Sequence, residues 1–247
     1  MRKEDKIIMN KNSNLYQIIY AAVMVLIVGT VLAFIYMALK PKQDENIAND
    51  KRKQILSAVH VTPASDNAIE ETFNKYIVAG YLLNKDGSIA DSTKNVAFEI
   101  DMKNNIKLEE RKLPMFKCKL DDGSFKYIVP VYGAGLWGPI WGYIAVNDNG
   151  SDIYGAYFSH EGETPGLGAE IANSKFQEQF QGKSIYPDGE FKSISVMKKG
   201  QKPIDGSEYV DAISGGTITS RGVQAMLNDC MTPYDPFFKK LQCGTIK

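Results

Sequence analysis

The residues with the most chemical promise are Asp211-Ala212-Ile213-Ser214-Gly215-Gly216-Thr217-Ile218-Thr219-Ser220. Two glycines leave the backbone beside Thr217 uncovered, so a bulky group can approach its hydroxyl. The stretch leads into Val223, Met226, Leu227 and Cys230, spaced as one face of a helix over Arg221 to Cys230, with Thr219 or Ser220 as its cap. A phosphate on Thr217 would then sit at the positive end of that helix, beside free N–H groups. The same residues also suit a plain glycine-rich turn before a helix cap. A second constellation is Glu161-Gly162-Glu163-Thr164-Pro165-Gly166-Leu167-Gly168-Ala169-Glu170. Thr164-Pro165-Gly166 reads as a turn, and Gly166-Leu167-Gly168 exposes N–H groups ahead of a helix, where a flat ring or its carbonyls could lie. Upstream, Trp137 and Trp141 could stack on such a ring or fill a strand core. His160 could bond a ring carbonyl or be solvated at a strand end, and Glu163 is a candidate contact.

Two patterns among these residues resemble a known family. Asp211-x-x-Ser214-Gly215-Gly216-Thr217 resembles the flavinylation motif of FMN-binding domains, with Gly216 where alanine is usual. The Glu163-Thr164-Pro165-Gly166-Leu167-Gly168 run, with Gly135 to Tyr143 upstream, is similar to the C-subunit family of the Na⁺-translocating NADH:quinone oxidoreductase, over nearly the whole chain. The resemblance implies FMN joined by a phosphoester to Thr217 by a flavin transferase, with Asp211 as a recognition residue. It implies a cofactor site of Ser214, Gly215, Gly216, Thr217, Ile218, Thr219, Glu163, Thr164, Gly166, Leu167, Gly168 and Trp137. It further implies an electron carrier that works with the other membrane subunits of that complex and is not catalytic alone. The G-type subunit of an Rnf-type ferredoxin:NAD⁺ oxidoreductase shares this plan, and a membrane-anchored interaction module with a structural Ser-Gly-Gly-Thr is the reading from another class.

Composition narrows the field. The chain has 247 residues, 29 Lys and Arg against 29 Asp and Glu, two His and three Cys. Zero formal charge gives no electrostatic footprint for nucleic acid. His60 and His160, with no closely spaced Cys pair, are too few ligands for a Cys/His metal site. Cys118, Cys230 and Cys243 form no Cys-x-x-Cys, which disfavours a redox dithiol, while a Cys230–Cys243 disulfide stays open in an exported domain. No Gly-x-Gly-x-x-Gly is present, so NADH would bind elsewhere in such a complex.

These residues must be positioned by the rest of the chain. From Asn12 to Leu39 there is no charged side chain, and at about 1.5 Å per residue the run exceeds the roughly 30 Å hydrocarbon core of a bilayer. Tyr16, Tyr20 and Tyr36 fit its interfaces. No cleavage site for a signal peptide follows, and no intramembrane carboxylate suggests an ion path. Arg2, Lys3, Lys6 and Lys11 before the run nearly balance Lys40, Lys42, Lys51, Arg52 and Lys53 after it, so charge alone does not orient the helix. The expected organisation is a cytoplasmic N-terminus over 1–14, a transmembrane helix over 15–39, a charged juxtamembrane connector over 40–64, and an FMN-binding domain over 65–247 exported to the periplasmic side of the bacterial inner membrane.

Within the connector, Ile47, Ile55, Leu56 and Val59 make a partial helical stripe. Ser65 or Asp66 would cap a helix running through Ile69, Phe73, Tyr76 and Ile77 to Val78. Val96, Phe98, Ile100 and Met102 alternate as a strand. Phe116, Cys118 and Leu120 face Phe125, Tyr127 and Val129 across Asp121-Asp122-Gly123 as a hairpin. A second hairpin joins Ile140–Val146 to Ile153–Phe158. A helix is expected over Ala169 to Phe180 and a strand over Phe191 to Met197. The fold class is therefore α+β: one N-terminal membrane helix, then a single domain with a mostly antiparallel sheet.

Overall fold

The computed structural model describes residues 14–93 and 95–245. The expected cytoplasmic segment, with Arg2, Lys3, Lys6 and Lys11, lies outside the described residues except for Asn14. Two units divide the chain, Met1–Ala48 and Asn49–Lys247.

The first unit is helical. Helix α1 (Asn14–Ser57) contains the apolar run, is long and apolar enough to cross a membrane, and buries none of that run against protein. Leu15, Val25, Leu32, Phe34 and Met37 are all exposed. A helix satisfies its own backbone groups, so a solvent that offers no hydrogen bonds can surround it. The helix does not stop where the sequence predicts a connector: it continues to Ser57, and Asn49–Ser57 belong to the second unit. The Lys, Arg, Glu, Gln and Ala residues of that stretch are good helix formers, and the helix runs on through Pro41.

The second unit is built on six strands: β1 (Ile77–Leu83), β2 (Ile89–Asp91), β3 (Leu113–Lys119), β4 (Phe125–Ala134), β5 (Pro139–Asn147) and β6 (Ile153–His160). They lie in the order β2-β1-β3-β4-β5-β6, every neighbour antiparallel. Both expected hairpins are present, β3–β4 and β5–β6, because alternating apolar residues flank turn-forming Asp-Asp-Gly and Asn-Asp-Asn-Gly. Strands β7 (Ser195–Met197) and β8 (Tyr209–Asp211) add a small parallel pair.

Each face of the sheet carries its own core. Tyr127, Val129, Val131, Ile144 and Val146 point to one side, where they meet Val223, Met226, Leu227 and Met231 of helix α5 (Thr217–Met231) and Phe237 and Phe238 of α6 (Asp235–Gln242). Ile128, Tyr143 and Ala145 point to the other, against Ile55, Leu56, Val59 and Phe73, the last from α2 (Ile69–Tyr76). Ile55, Leu56 and Val59 of the expected stripe are thus core, whereas Ile47 is exposed. Phe158, Phe176 and Phe180 pack together with ring centroids 5.1–5.9 Å apart, Phe176 and Phe180 edge to face and Phe158 tilted against both.

Four expectations give way. The alternation over Val96 to Met102 is no strand: the segment turns, and Asp101 caps the short helix α3 (Met102–Asn105) by accepting from Lys103 N. Helix α2 ends at Tyr76 because Ile77 is already paired with Cys118, and Ser65 makes no side-chain cap. The helix over Ala169 to Phe180 is broken into 3₁₀ turns around α4 (Ser174–Gln177), since Asn173 takes an extended conformation and caps α4 with its side chain. Of the strand over Phe191 to Met197, Ser195–Met197 alone pairs.

Candidate functional site

Strand β8 ends at Asp211, whose N–H donates to Gln179 Oε1, and the chain then turns into α5. Gly215 has φ +75°, the left-handed region a side chain resists, and this lets Gly216 close on Ile213 with its N–H. Gly216 is the N-cap and supplies no side chain, so α5 starts at Thr217, four residues before the expected Arg221. Neither Thr219 nor Ser220 is the cap. Ser220 Oγ instead accepts the Ile213 N–H at 3.0 Å, fastening the turn from inside. Ser220 N–H bonds to Gly216 O, leaving the N–H groups of Thr217, Ile218 and Thr219 without an intrahelical acceptor. Thr217 is half-buried, and no hydrogen bond among the described residues engages its hydroxyl.

Two other segments face this helix start. The tight turn between β4 and β5 is closed by Gly135 N–H to Gly138 O at 2.8 Å and carries Leu136 and Trp137. The loop after β6 supplies Glu163, Thr164, Leu167 and Gly168. Glu163 is only 4% exposed. One of its oxygens accepts the Trp137 N–H at 2.8 Å and the other the Thr219 hydroxyl at 2.5 Å. Gly168 lies so close to this pair that a Cβ there would sit 2.5 Å from Thr219 Oγ1 and closer still to the carboxylate.

Together the three segments enclose a cleft of about 220 Å³. Thr217, Thr219, Ile218, Gly215 and Gly216 line it from α5, and Glu163, Thr164, Leu167, Gly168, Leu136 and Trp137 line it from the facing loops. The apolar side chains on the rim are open to solvent: Trp137 is 69% exposed, Ile218 56%, Leu136 48% and Leu167 42%. Exposed apolar side chains gathered at one cleft signal a ligand or partner. An uncapped helix start with free N–H groups beside them suits a ligand that is anionic at one end and flat and apolar at the other.

The FMN-binding domain family matches residues 135–232, which takes in all three segments of the cleft. The C subunit of the Na(+)-translocating NADH-quinone reductase from Neisseria meningitidis serogroup B is 32% identical across 88% of this chain and 90% of its own length. Its namesake from Vibrio anguillarum is 30% identical across 89% of this chain and 91% of its own. The chain belongs to this C-subunit family. Solved structures agree: the C subunit from Parabacteroides distasonis superposes with a TM-score of 0.74 at 44% identity, covering 81% of this chain and 96% of that one. NqrC from Shewanella oneidensis gives 0.65 at 29% identity, covering 79% and 98%.

Against this family background, ten of the twelve expected site residues gather at the cleft, whereas Ser214 and Gly166 are exposed and outside its lining. Leu136 was not among the expected residues, although its place beside Trp137 in a two-strand turn was a usable signal. Trp141 lies elsewhere: its Nε1 donates to Gln54 Oε1 at 3.0 Å. His160 braces the loop, its Nδ1 accepting the Glu163 N–H at 3.2 Å. All three cysteines are free thiols. Cys230 Sγ is held by the Tyr132 backbone, so the Cys230–Cys243 disulfide does not form. Burial pushes the Cys230 thiol up to about 11 and Cys118 up to about 12, away from thiolate chemistry.

Proposed function

We propose that the chain carries electrons within a Na⁺-translocating NADH:quinone oxidoreductase through FMN joined by a phosphoester to Thr217. The observation that carries this reading is the placement of Thr217 as first residue of an uncapped α5, at the mouth of a cleft with an apolar rim. The residues fit the group. The free N–H groups of Thr217, Ile218 and Thr219 can receive phosphate oxygens, and Trp137, Leu136, Leu167 and Ile218 offer apolar surface to the ring. Gly215 and Gly216 keep side chains away from the attachment point, and Gly168 keeps the cleft's inner wall flat. Bound FMN supplies reversible uptake and release of electrons, the chemistry the polypeptide lacks.

In this reading α1 anchors the chain over 15–39 and the domain lies on the periplasmic side, where covalent attachment prevents loss of a cofactor with no pool to replace it. A flavin transferase acts during maturation, with Asp211 as its recognition residue, and the other membrane subunits are the electron partners. Membership of the C-subunit family favours this complex over the Rnf-type one.

The test is the mass of the intact chain from its own membranes under denaturing conditions, with peptide mapping around Thr217. Flavin should remain on that peptide. Thr217→Ala should lose it and electron transfer while keeping the fold. An unmodified wild-type peptide from cells with transferase activity would sink the reading and leave an anchored interaction module.

A further inference from the structure

Glu163 is an unusual residue to bury. Taking a carboxylate out of water is costly unless hydrogen bonds replace its hydration, and no salt bridge among the described residues engages it. Its partners are a backbone N–H on the β4–β5 turn and a hydroxyl on α5 that lies 56 residues along the chain. Its own N–H is tied to His160 Nδ1. The surrounding backbone is cut away for it, since a Cβ at Gly135 would come within 2.9 Å of its Cδ and one at Gly168 within 3.2 Å. The carboxylate is thus the point where three separate segments of the cleft are joined.

Thr217 and Thr219 sit two residues apart on one helical turn, so their side chains are turned about 200° from each other around the axis. Holding one fixes where the other is offered. Thr219 is 2% exposed with its hydroxyl given to Glu163, while Thr217 is half-buried with its hydroxyl unengaged. We propose that Glu163 is the positioning residue for flavin attachment: by holding the Thr219 hydroxyl and the Trp137 N–H it sets the rotation of the first turn of α5, presents Thr217, and withholds Thr219 from the transferase. This rests on the reading that Thr217 receives FMN. In the attachment step the donor is a flavin phosphoanhydride. The Thr217 Oγ–P bond forms, the anhydride P–O bond breaks, the second phosphate compound of the anhydride leaves with the bridging oxygen, the hydroxyl proton passes to water, and no electron changes hands.

The experiment uses the full chain produced with a flavin transferase, as wild type, Glu163→Ala, Glu163→Gln and Thr219→Val. Attachment rate, the modified residue by peptide mapping, and cooperative thermal unfolding are measured for each. Attachment at Thr217 in Glu163→Ala should slow by roughly tenfold or more, with flavin also appearing on Thr219. Glu163→Gln should restore the wild-type rate and site, because its amide oxygen can accept from Trp137 and its amide nitrogen can donate to Thr219 Oγ1. Thr219→Val keeps the side-chain shape and should slow attachment at Thr217 while unfolding cooperatively, so the test stands even where Glu163→Ala does not fold. The proposal is overturned by folded Glu163→Ala or Thr219→Val protein that is modified on Thr217 alone at the wild-type rate. It is equally overturned by a Glu163→Gln chain as impaired as Glu163→Ala. A wild-type chain with no flavin on Thr217 overturns the underlying reading instead, which separates the two failures.

Discussion

Gly168→Ala offers the sharpest test of how the cleft is held. The added methyl would meet Thr219 Oγ1 at 2.5 Å and the Glu163 carboxylate closer still. One way out is for Glu163 to swing aside, which breaks its bond to Thr219 and leaves buried polar groups unpaired, at about 1–3 kcal/mol. The other is for the loop to back away, and overpacking of this kind costs a similar 1–3 kcal/mol. Against either runs the gain from stiffening the unfolded chain, about 0.4–1 kcal/mol for a glycine replaced by alanine. Taking the middle of each range, the net is a loss of roughly 1.3 kcal/mol, and with about 2–4 °C per kcal/mol for a chain of this size the unfolding midpoint should fall by about 3–5 °C. Gly162→Ala is the matched control, six positions earlier in the same loop: its backbone is not left-handed and nothing lies within 4 Å of the new methyl. It should hold or raise the midpoint. Differential scanning fluorimetry on the detergent-solubilised chain reads both. Equal midpoints for the two variants would show that Gly168, Glu163 and Thr219 are not packed as described, and the account of the cleft would fall.

Other outcomes follow from burial. Raised thiol pKa values of about 12 at Cys118 and about 11 at Cys230 mean that thiolate is scarce at both below those values, and Cys243 alone is exposed. Alkylation of the native chain at pH 8 should therefore label Cys243 and spare the others, and denaturation should release all three. Tyr234→Phe removes the hydroxyl that donates to Pro114 O at 2.7 Å in the core. That carbonyl loses its buried side-chain partner, so stability measured by chemical denaturation should drop by about 1–3 kcal/mol with the fold unchanged.

Much of the sheet was legible because its hairpins are local: alternation and turn residues sit side by side in the chain, as in Phe116–Val129. The long apolar helix was legible for the same reason. Strand β1 was not, since Ile77 continues the apolar spacing of α2 and declares itself a strand residue through its pairing with Cys118, 41 positions later by the register Ile77↔Cys118. Val96 to Met102 shows the opposite error, where alternation occurs without a neighbouring strand to pair with. At the candidate site, type and spacing alone suited a plain turn as well as a binding loop, and it was the family resemblance that drew attention to Thr217, Glu163 and the glycines. That Thr219 and Glu163 spend their polar atoms on each other could not be read, because nothing local to either residue announces a contact across 56 positions.

The cleft and the domain behind it are stitched by contacts between distant parts of the chain: Glu163 with Thr219 in the cleft, and beyond it Cys230 with Tyr132 across 98 positions and Tyr234 with Pro114 across 120. Closing such loops costs entropy that returns only when the whole assembly packs. A peptide holding Asp211 to Ser220, or the same ten residues grafted onto another scaffold, therefore carries the hydroxyl without the walls around it. Transplanting the site means moving the β4–β5 turn, the Glu163 loop and α5 as one block, together with the sheet that keeps them in register.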